Sequence, residues 1–205
     1  SRIVFSGVGK TDEELRTAIK TGIYQINVES LPELKRIIVL SEELKTNIAV
    51  AFRMNPDVEA GTHAKITTGK SDNKFGILRG DIKVAFELSG NAEFVHPVGL
   101  SMHIGSQLTD LEPYRKSFAK MAAFVHDLRD AGHKIERLDI GGGLGVIYKD
   151  ETSIDPTAYT ALIKEIIAPL GTDIILEPGR YLTANAGILL SRVIYEKISE
   201  HRRYL

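Results

Sequence analysis

The 205 residues predict an α/β fold in which a parallel sheet curls into part of a (β/α)8 TIM-type barrel. Three observations carry the prediction. Short apolar runs alternate with capped or amphipathic helical stretches, the pattern of a parallel sheet with crossover helices. Six of those runs end in polar or glycine-rich residues: Gly7-Val8-Gly9, Glu29-Ser30, Arg53-Met54-Asn55, His103 through Gln107, Gly141 through Gly145, and Glu177 through Arg180. In a barrel every strand opens its C-terminal end on one face, so polar residues at those ends share a site. A doubly wound open sheet satisfies the first observation equally, whereas the second favours the barrel. The third is the number of units: a full barrel has eight strands and about 250 residues, and about six βα units are legible, so a partial barrel lacking its first two strands is expected.

The elements follow in order. Ile3-Val4-Phe5 is a strand, and Thr11-Asp12-Glu13-Glu14 is a capping box that opens a helix to about Lys20. A strand over 24–28 precedes Glu29, and Ser30-Leu31-Pro32-Glu33 opens a second helix to about Leu44. A third strand covers 48–54 and stops at Asn55-Pro56; residues 57–71 then show neither helical nor strand periodicity. A loop that long in a compact domain is usually functional or mobile. A helix is expected over about 72–88, then a strand over 98–104. Leu111, Tyr114, Phe118, Met121, Val125 and Leu128 recur at spacings of three and four, one apolar helical face closed by Gly132. A fifth strand covers 137–140, Asp155-Pro156 caps a helix bearing Tyr159, Leu162, Ile163 and Ile166, and a sixth strand covers 173–176. Beyond it the β-branched residues of 188–198 read as a further strand. The expected organisation is a partial barrel over 1–187 and, over 188–205, a strand leading into a C-terminal β domain outside this sequence.

Composition narrows the functional classes. With 43% hydrophobic residues, 26% charged and a net charge of −1, the chain can bury a core and offers no basic face for nucleic acid and no polybasic membrane patch. A small-molecule partner is expected. The absence of cysteine excludes disulfides, thiolate metal sites and a cysteine nucleophile, and fits a reducing compartment. No run approaches a membrane span and residues 1–20 lack a signal-peptide layout, so a cytoplasmic protein is expected, with no metal.

Leu138-Asp139-Ile140-Gly141-Gly142-Gly143-Leu144-Gly145 is the densest chemical signal. A strand that empties into bare backbone can approach a ligand closely and turn its amides to an anion; the same run reads equally as a loose surface turn. Its neighbours in the barrel are His103-x-x-Ser106 and Glu177-x-x-Arg180. Together these resemble a site for pyridoxal 5′-phosphate (PLP): amides for the phosphate, a flat partner for the ring, and a carboxylate that keeps the pyridine nitrogen protonated. Each has a plainer reading. His103 reads also as a satisfied core histidine, and Glu177 with Arg180 as an ion pair in a surface turn. Lys74 reads as a helix-start residue on a solvated face, and His63 and Lys70 border the site at most.

The ordered set Phe5 through Thr11, Asn27-Val28-Glu29-Ser30, Arg53 through Asp57, Lys74-Phe75-Gly76-Ile77, His103 through Gln107, Gly141 through Gly145 and Glu177 through Arg180 resembles the barrel-type (fold-type III) PLP-dependent decarboxylases, which include the diaminopimelate, ornithine and arginine decarboxylases. The resemblance covers essentially the whole chain. It implies that His103 lies against the ring face, that Ser106, Gly141, Gly142 and Gly143 bind the phosphate, and that Glu177 pairs with the pyridine nitrogen. It further implies that Arg53 sits near the cofactor and that Arg180 meets a substrate carboxylate or the phosphate. His103-Ile104-Gly105-Ser106-Gln107 points to the diaminopimelate branch, hence to decarboxylation of meso-2,6-diaminopimelate to L-lysine by a homodimer. Another basic amino acid (ornithine, arginine or carboxynorspermidine), a non-catalytic barrel homologue, and a PLP-free barrel for another phosphate ester are the alternatives.

One departure from the family is informative. Its Schiff-base lysine lies in a Tyr-x-x-Lys-Ala-like run on the first barrel strand, and no such run is present; Lys10 belongs to the Gly-Val-Gly-Lys-Thr stretch that the family carries separately. The segment that a partner subunit contributes to the family's site is missing too. The expectation is therefore an internal portion of a larger enzyme, with no catalytic residue in this chain and no turnover by it alone.

Overall fold

The computed structural model describes residues 2–56, 75–150 and 152–205. Six strands, β1 (Val4–Phe5), β2 (Gln25–Val28), β3 (Ile48–Arg53), β4 (Val95–Ser101), β5 (Arg137–Gly142) and β6 (Asp173–Glu177), lie side by side in chain order, each parallel to its neighbours. Helices α1 (Asp12–Thr21), α2 (Leu31–Leu44), α3 (Arg79–Gly90), α4 (Glu112–Asp130) and α5 (Pro156–Ile166) make the crossovers, with a 3-10 turn at Ala168–Leu170 before β6. A short helix α6 (Gly179–Thr183) follows, then an antiparallel hairpin of β7 (Lys197–Ile198) and β8 (Arg203–Tyr204).

Local chemistry sets the boundaries. Both arms of the Thr11 capping box form, the Glu14 amide donating to Thr11 Oγ1 at 3.3 Å and the Thr11 amide to Glu14 Oε2 at 2.7 Å, and Gly22 ends α1 with φ 61°. Ser30 Oγ accepts from the Glu33 amide at 3.3 Å and Asp155 Oδ1 from the Thr157 amide at 3.0 Å. Strand residues alternate. Ile26, Val28, Val50, Phe52, Leu100, Leu138 and Ile140 join the helices' Leu34, Ile37, Phe118, Phe124 and Leu162 in one buried apolar cluster. The alternate positions include Gln25, Asn27, Arg53, Ser101 and Asp139, buried but polar, so the interior of the curl is a hydrogen-bonding surface rather than a second greasy core.

The curl follows from contacts between distant strands. In a flat sheet β1 and β6 would stand roughly 24 Å apart, five spacings of about 4.8 Å. Yet Ser6, just after β1, donates from Oγ to Glu177 Oε1 of β6 at 2.5 Å, and Asn27 Nδ2 of β2 donates to Asp139 Oδ2 of β5 at 2.7 Å. At the opposite end Arg137 Nη1 donates to the Tyr24 carbonyl at 2.9 Å and its guanidinium stacks on the Tyr24 ring. The six strands thus form a half-barrel, with β1 and β6 as its edges, unpaired on their outer sides among the described residues.

Two elements differ from the sequence reading. The helix expected over about 72–88 begins at Arg79, because Ile77 pairs beside the end of β3 instead: it forms a parallel bridge with Met54 and its amide donates to the Arg53 carbonyl at 2.7 Å, next to Gly76 at φ 79°. The strand expected over 188–198 is reduced to Lys197–Ile198, since β-branched residues make a strand only against a partner and, among the described residues, only Arg203–Tyr204 supplies one. His63, Lys70 and Lys74 lie outside the described residues.

Candidate functional site

Parallel strands deliver their last inward residues to one mouth. There Ser6, Asn27, Arg53, Ser101, Met102, His103 and Glu177 line a cleft of about 10 Å³, room for roughly one water. It is the floor of a site rather than its container. Arg53 Nη1 pairs with Glu29 Oε1 at 2.6 Å, both buried, and the second Glu29 oxygen accepts from the Gly76 amide at 3.3 Å. The Arg53 guanidinium also lies over the Phe75 ring, 5.1 Å from its centroid. This ties the return of the chain at Phe75-Gly76 to the strand ends.

His103 is mostly buried. Burial first, and the Arg53 charge second, hold its imidazole below the usual histidine range, against the pull of Glu177 and Glu29, so it is neutral near pH 7. Its Nδ1 accepts from the Gly142 amide at 3.4 Å, which leaves the proton on Nε2. Glu177 turns inward to Ser6 and Asp139 instead of closing a turn with Arg180. Asp139 is fully buried; burial, then the neighbouring Glu177 charge, push its carboxyl up to about 7.

The glycine run is explained here by packing. β5 bulges against β6 between Asp139 and Gly142, with Gly141 at φ 71° and its amide turned back to Asp139 Oδ1 at 3.0 Å. A Cβ on Gly141, Gly142 or Gly143 would fall within 3.0 Å of the carbonyl oxygens of Met102, Glu177 and Gly105 respectively. Bare backbone is therefore required by neighbouring backbone before any ligand arrives. The loose-turn reading does not hold: Gly141, Gly142 and Gly143 are buried.

His103, Arg53 and Glu177 thus meet in one cleft with the glycine run against them. Ser106 lies just beyond, half-buried, next to the Gly105 carbonyl that packs on Gly143, while Arg180 is exposed in the first turn of α6; neither lines the cleft. Lys10 is caged: Nζ donates to the Gly7 and Asn27 carbonyls at 2.6 and 2.8 Å and to Glu33 Oε1 at 2.7 Å, with 1% of its side chain exposed. Burial raises the Glu33 carboxyl against the opposing pull of Lys10. All three ammonium hydrogens are committed, so Lys10 braces the loop after β1 and is not a nucleophile. Asn27, Ser6, Ser101 and Asp139 are site residues to which motif reading gave no role, and Glu29, read as a polar strand end, is the partner of Arg53. The signal that could have found Asn27, Ser101 and Asp139 is a polar residue set among apolar ones within a strand, alternating with the core-facing positions.

The donor set fits PLP. A carboxylate and a neutral imidazole share the cleft, as a pyridinium nitrogen and a ring face require, and Ser101 Oγ is buried there without a hydrogen-bond partner. Comparisons with known proteins agree. The chain is 46% identical over 206 residues to diaminopimelate decarboxylase of Zymomonas mobilis and 40% identical over 204 residues to that of Pseudomonas aeruginosa, in each case across 100% of this chain and 49% of the relative. The crystal structure of diaminopimelate decarboxylase from Helicobacter pylori complexed with L-lysine superposes with a TM-score of 0.89 at 38% identity, covering 98% of this chain and 50% of that one. The chain spans about half the length of the curated relatives it matches. Residues 1–184 match the family described as pyridoxal-dependent decarboxylase, pyridoxal binding domain, and the chain belongs to that family.

Proposed function

We propose that these residues form the cofactor-binding barrel of a PLP-dependent carboxy-lyase that converts meso-2,6-diaminopimelate to L-lysine. The observation that carries the proposal is the meeting of the Glu177 carboxylate and the neutral His103 imidazole in one cleft beside Gly141, Gly142 and Gly143. It is supported by relatives named diaminopimelate decarboxylase and by the lysine complex of one of them.

In a PLP held by this cleft the pyridine ring would supply an electron sink for decarboxylation. The chain's own residues bind and orient. Glu177, held by Ser6, keeps a proton on the ring nitrogen. His103, kept uncharged by burial, presents its flat face without repelling that cation. Arg53, neutralised by Glu29, fixes the wall between them. Ser106 and the close-packed backbone of Gly141, Gly142 and Gly143 would border the phosphate, the Gly141 and Gly142 amides being given to Asp139 and His103, and Arg180, exposed at the rim, would receive a substrate carboxylate. The lysine that anchors the cofactor lies outside this chain; residues 188–205 lead into a further β domain, and the whole protein is a cytoplasmic homodimer.

The test uses the whole protein. PLP added to cofactor-free protein should give a shifted absorbance band, and carbon dioxide should be released from meso-diaminopimelate in preference to ornithine or arginine. A preference for ornithine would reassign the substrate, and no band with PLP would remove the decarboxylase reading.

A further inference from the structure

The reading above uses Glu177 and leaves the carboxyl beneath it unexplained. Asp139 is fully buried on β5, and two side chains join it to Glu177 of β6: Asn27 bonds both Asp139 and Ser6, and Ser6 bonds Glu177. Its oxygens accept from Asn27 Nδ2 at 2.7 Å and from the Gly141 amide at 3.0 Å; neither donor is a cation. The direction of the network is set from below. Gln25 Nε2 donates to Asn27 Oδ1 at 2.9 Å, so Asn27 presents both Nδ2 hydrogens, one to Asp139 and one to Ser6 Oγ at 2.7 Å. Ser6, having accepted, gives its single hydrogen to Glu177. Two full charges that close, inside protein and without a cation between them, repel strongly; one proton held between the carboxyls removes the repulsion.

We infer that Asp139 is the positioning residue of Glu177: it carries the proton of the pair and donates it to Glu177, so that Glu177 alone is anionic and its remaining lone pairs face the cleft. The inference rests on Glu177 being the partner of a protonated ring nitrogen. In that state the cation draws the negative charge to Glu177 and leaves the proton on Asp139.

The groups that face the pair from surrounding elements are Arg53 of β3, His103 after β4, Glu29 after β2 and Tyr159 of α5. All are unchanged in the variants below, so differences between proteins isolate Asp139. Asparagine cannot ionise and keeps a hydrogen to donate to Glu177, at the cost of one of the two bonds that the carboxyl oxygens accept from Asn27 and Gly141, whereas alanine loses the donor and both acceptors. In the whole protein, Asp139→Asn should bind PLP, followed by absorbance, within about threefold of the unaltered protein, and Asp139→Ala about tenfold or more weaker. A second readout needs no cofactor. Because the Asp139 carboxyl is raised to about 7, the folded state holds a proton that the unfolded chain releases. That contribution to stability is fully present at the acid end and is lost as pH rises through about 7. The melting temperature of the cofactor-free protein should therefore fall from pH 5 to pH 8 more steeply than that of Asp139→Asn.

If both variants bind PLP like the unaltered protein and the stability curves run parallel, the inference fails while the cofactor reading stands. Binding by Asp139→Asn as poor as by Asp139→Ala would also overturn it. If the unaltered protein binds no PLP, the cofactor reading fails, and the cofactor-free pH comparison still decides whether Asp139 and Glu177 share a proton. Should Asp139→Ala not fold, Asp139→Asn alone decides by the same two readouts.

Discussion

Buried charge in this chain is paired at Lys10–Glu33 and at Arg53–Glu29, and the consequences of removing a buried charged group differ residue by residue. Lys10 and Glu33 are both largely withdrawn from water. Lys10→Met would keep the aliphatic stem but strand Glu33 and two carbonyls, and removing one partner of a buried pair costs about 3–5 kcal/mol. Urea unfolding of the variant should show a loss of that size; a loss under about 1 kcal/mol would mean that the cage is not tight. The same variant, where folded, should still give the PLP absorbance band in the whole protein, because the Lys10 ammonium is spent on structure. Glu177→Gln is the complementary case. It keeps the bond from Ser6 but removes the charge, and PLP affinity should fall about tenfold, the worth of a charge-assisted hydrogen bond. Equal affinity in a cofactor titration would take Glu177 out of the site.

At the scale of elements, three helix starts were legible because capping is local: Thr11 with Glu14, Ser30 with Glu33 and Asp155 with Thr157 lie within three residues of one another, whereas α3, which has no side-chain cap, was placed too early. What local pattern could not show was lateral pairing. Ile77 joins β3 through Arg53, and residues 188–196 have no strand partner among the described residues, so the first was read as helix and the second as strand. The interior network was illegible for the same reason, since Ser6 meets Glu177 across 171 positions and Asn27 meets Asp139 across 112. His103 and Glu177 could be singled out because they end strands in short motifs, whereas Asn27 and Asp139 look like ordinary strand residues. The glycines were found for a reason that proved incomplete, and a pair of variants separates the two reasons. An alanine at Gly142 would drive Cβ into the Glu177 carbonyl, and one at Gly99 would drive it into that of Arg137. Both should destabilise by about 1–3 kcal/mol or more, as overpacking does. Only Gly142→Ala, which moves the backbone of Glu177, should weaken PLP binding beyond what the lost stability explains. Similar binding by the two folded variants would show that β5 and β6 need not approach so closely to build the site.

For the molecule as a whole, the half-barrel leaves apolar surface that a monomer does not keep. A groove of about 430 Å³ runs along the free edge of β1, lined by Ile3, Val4, Phe5, Ala18 and Ile23. On the other side Ile188, Leu189 and Leu190 are 92, 96 and 88% exposed, and Ile174 and Leu176 of edge strand β6 are open to solvent. Contiguous apolar patches and unpaired strand edges favour association over solvation. A polypeptide of these 205 residues alone should therefore sediment as more than a monomer at concentrations on the order of 10 µM and bind a hydrophobic dye. The double variant Leu189→Glu with Leu190→Glu should shift it toward monomer, because two charges on the patch repel their copies. Such a polypeptide should also leave meso-diaminopimelate unchanged, even where it binds PLP, because the cleft supplies orienting groups and the one lysine in the loop after β1 is caged. Robust carbon dioxide release by it would contradict the assignment of the anchoring lysine to another part of the protein, and a monomer with no dye binding would show that the exposed strand edges and tail are covered by this chain itself.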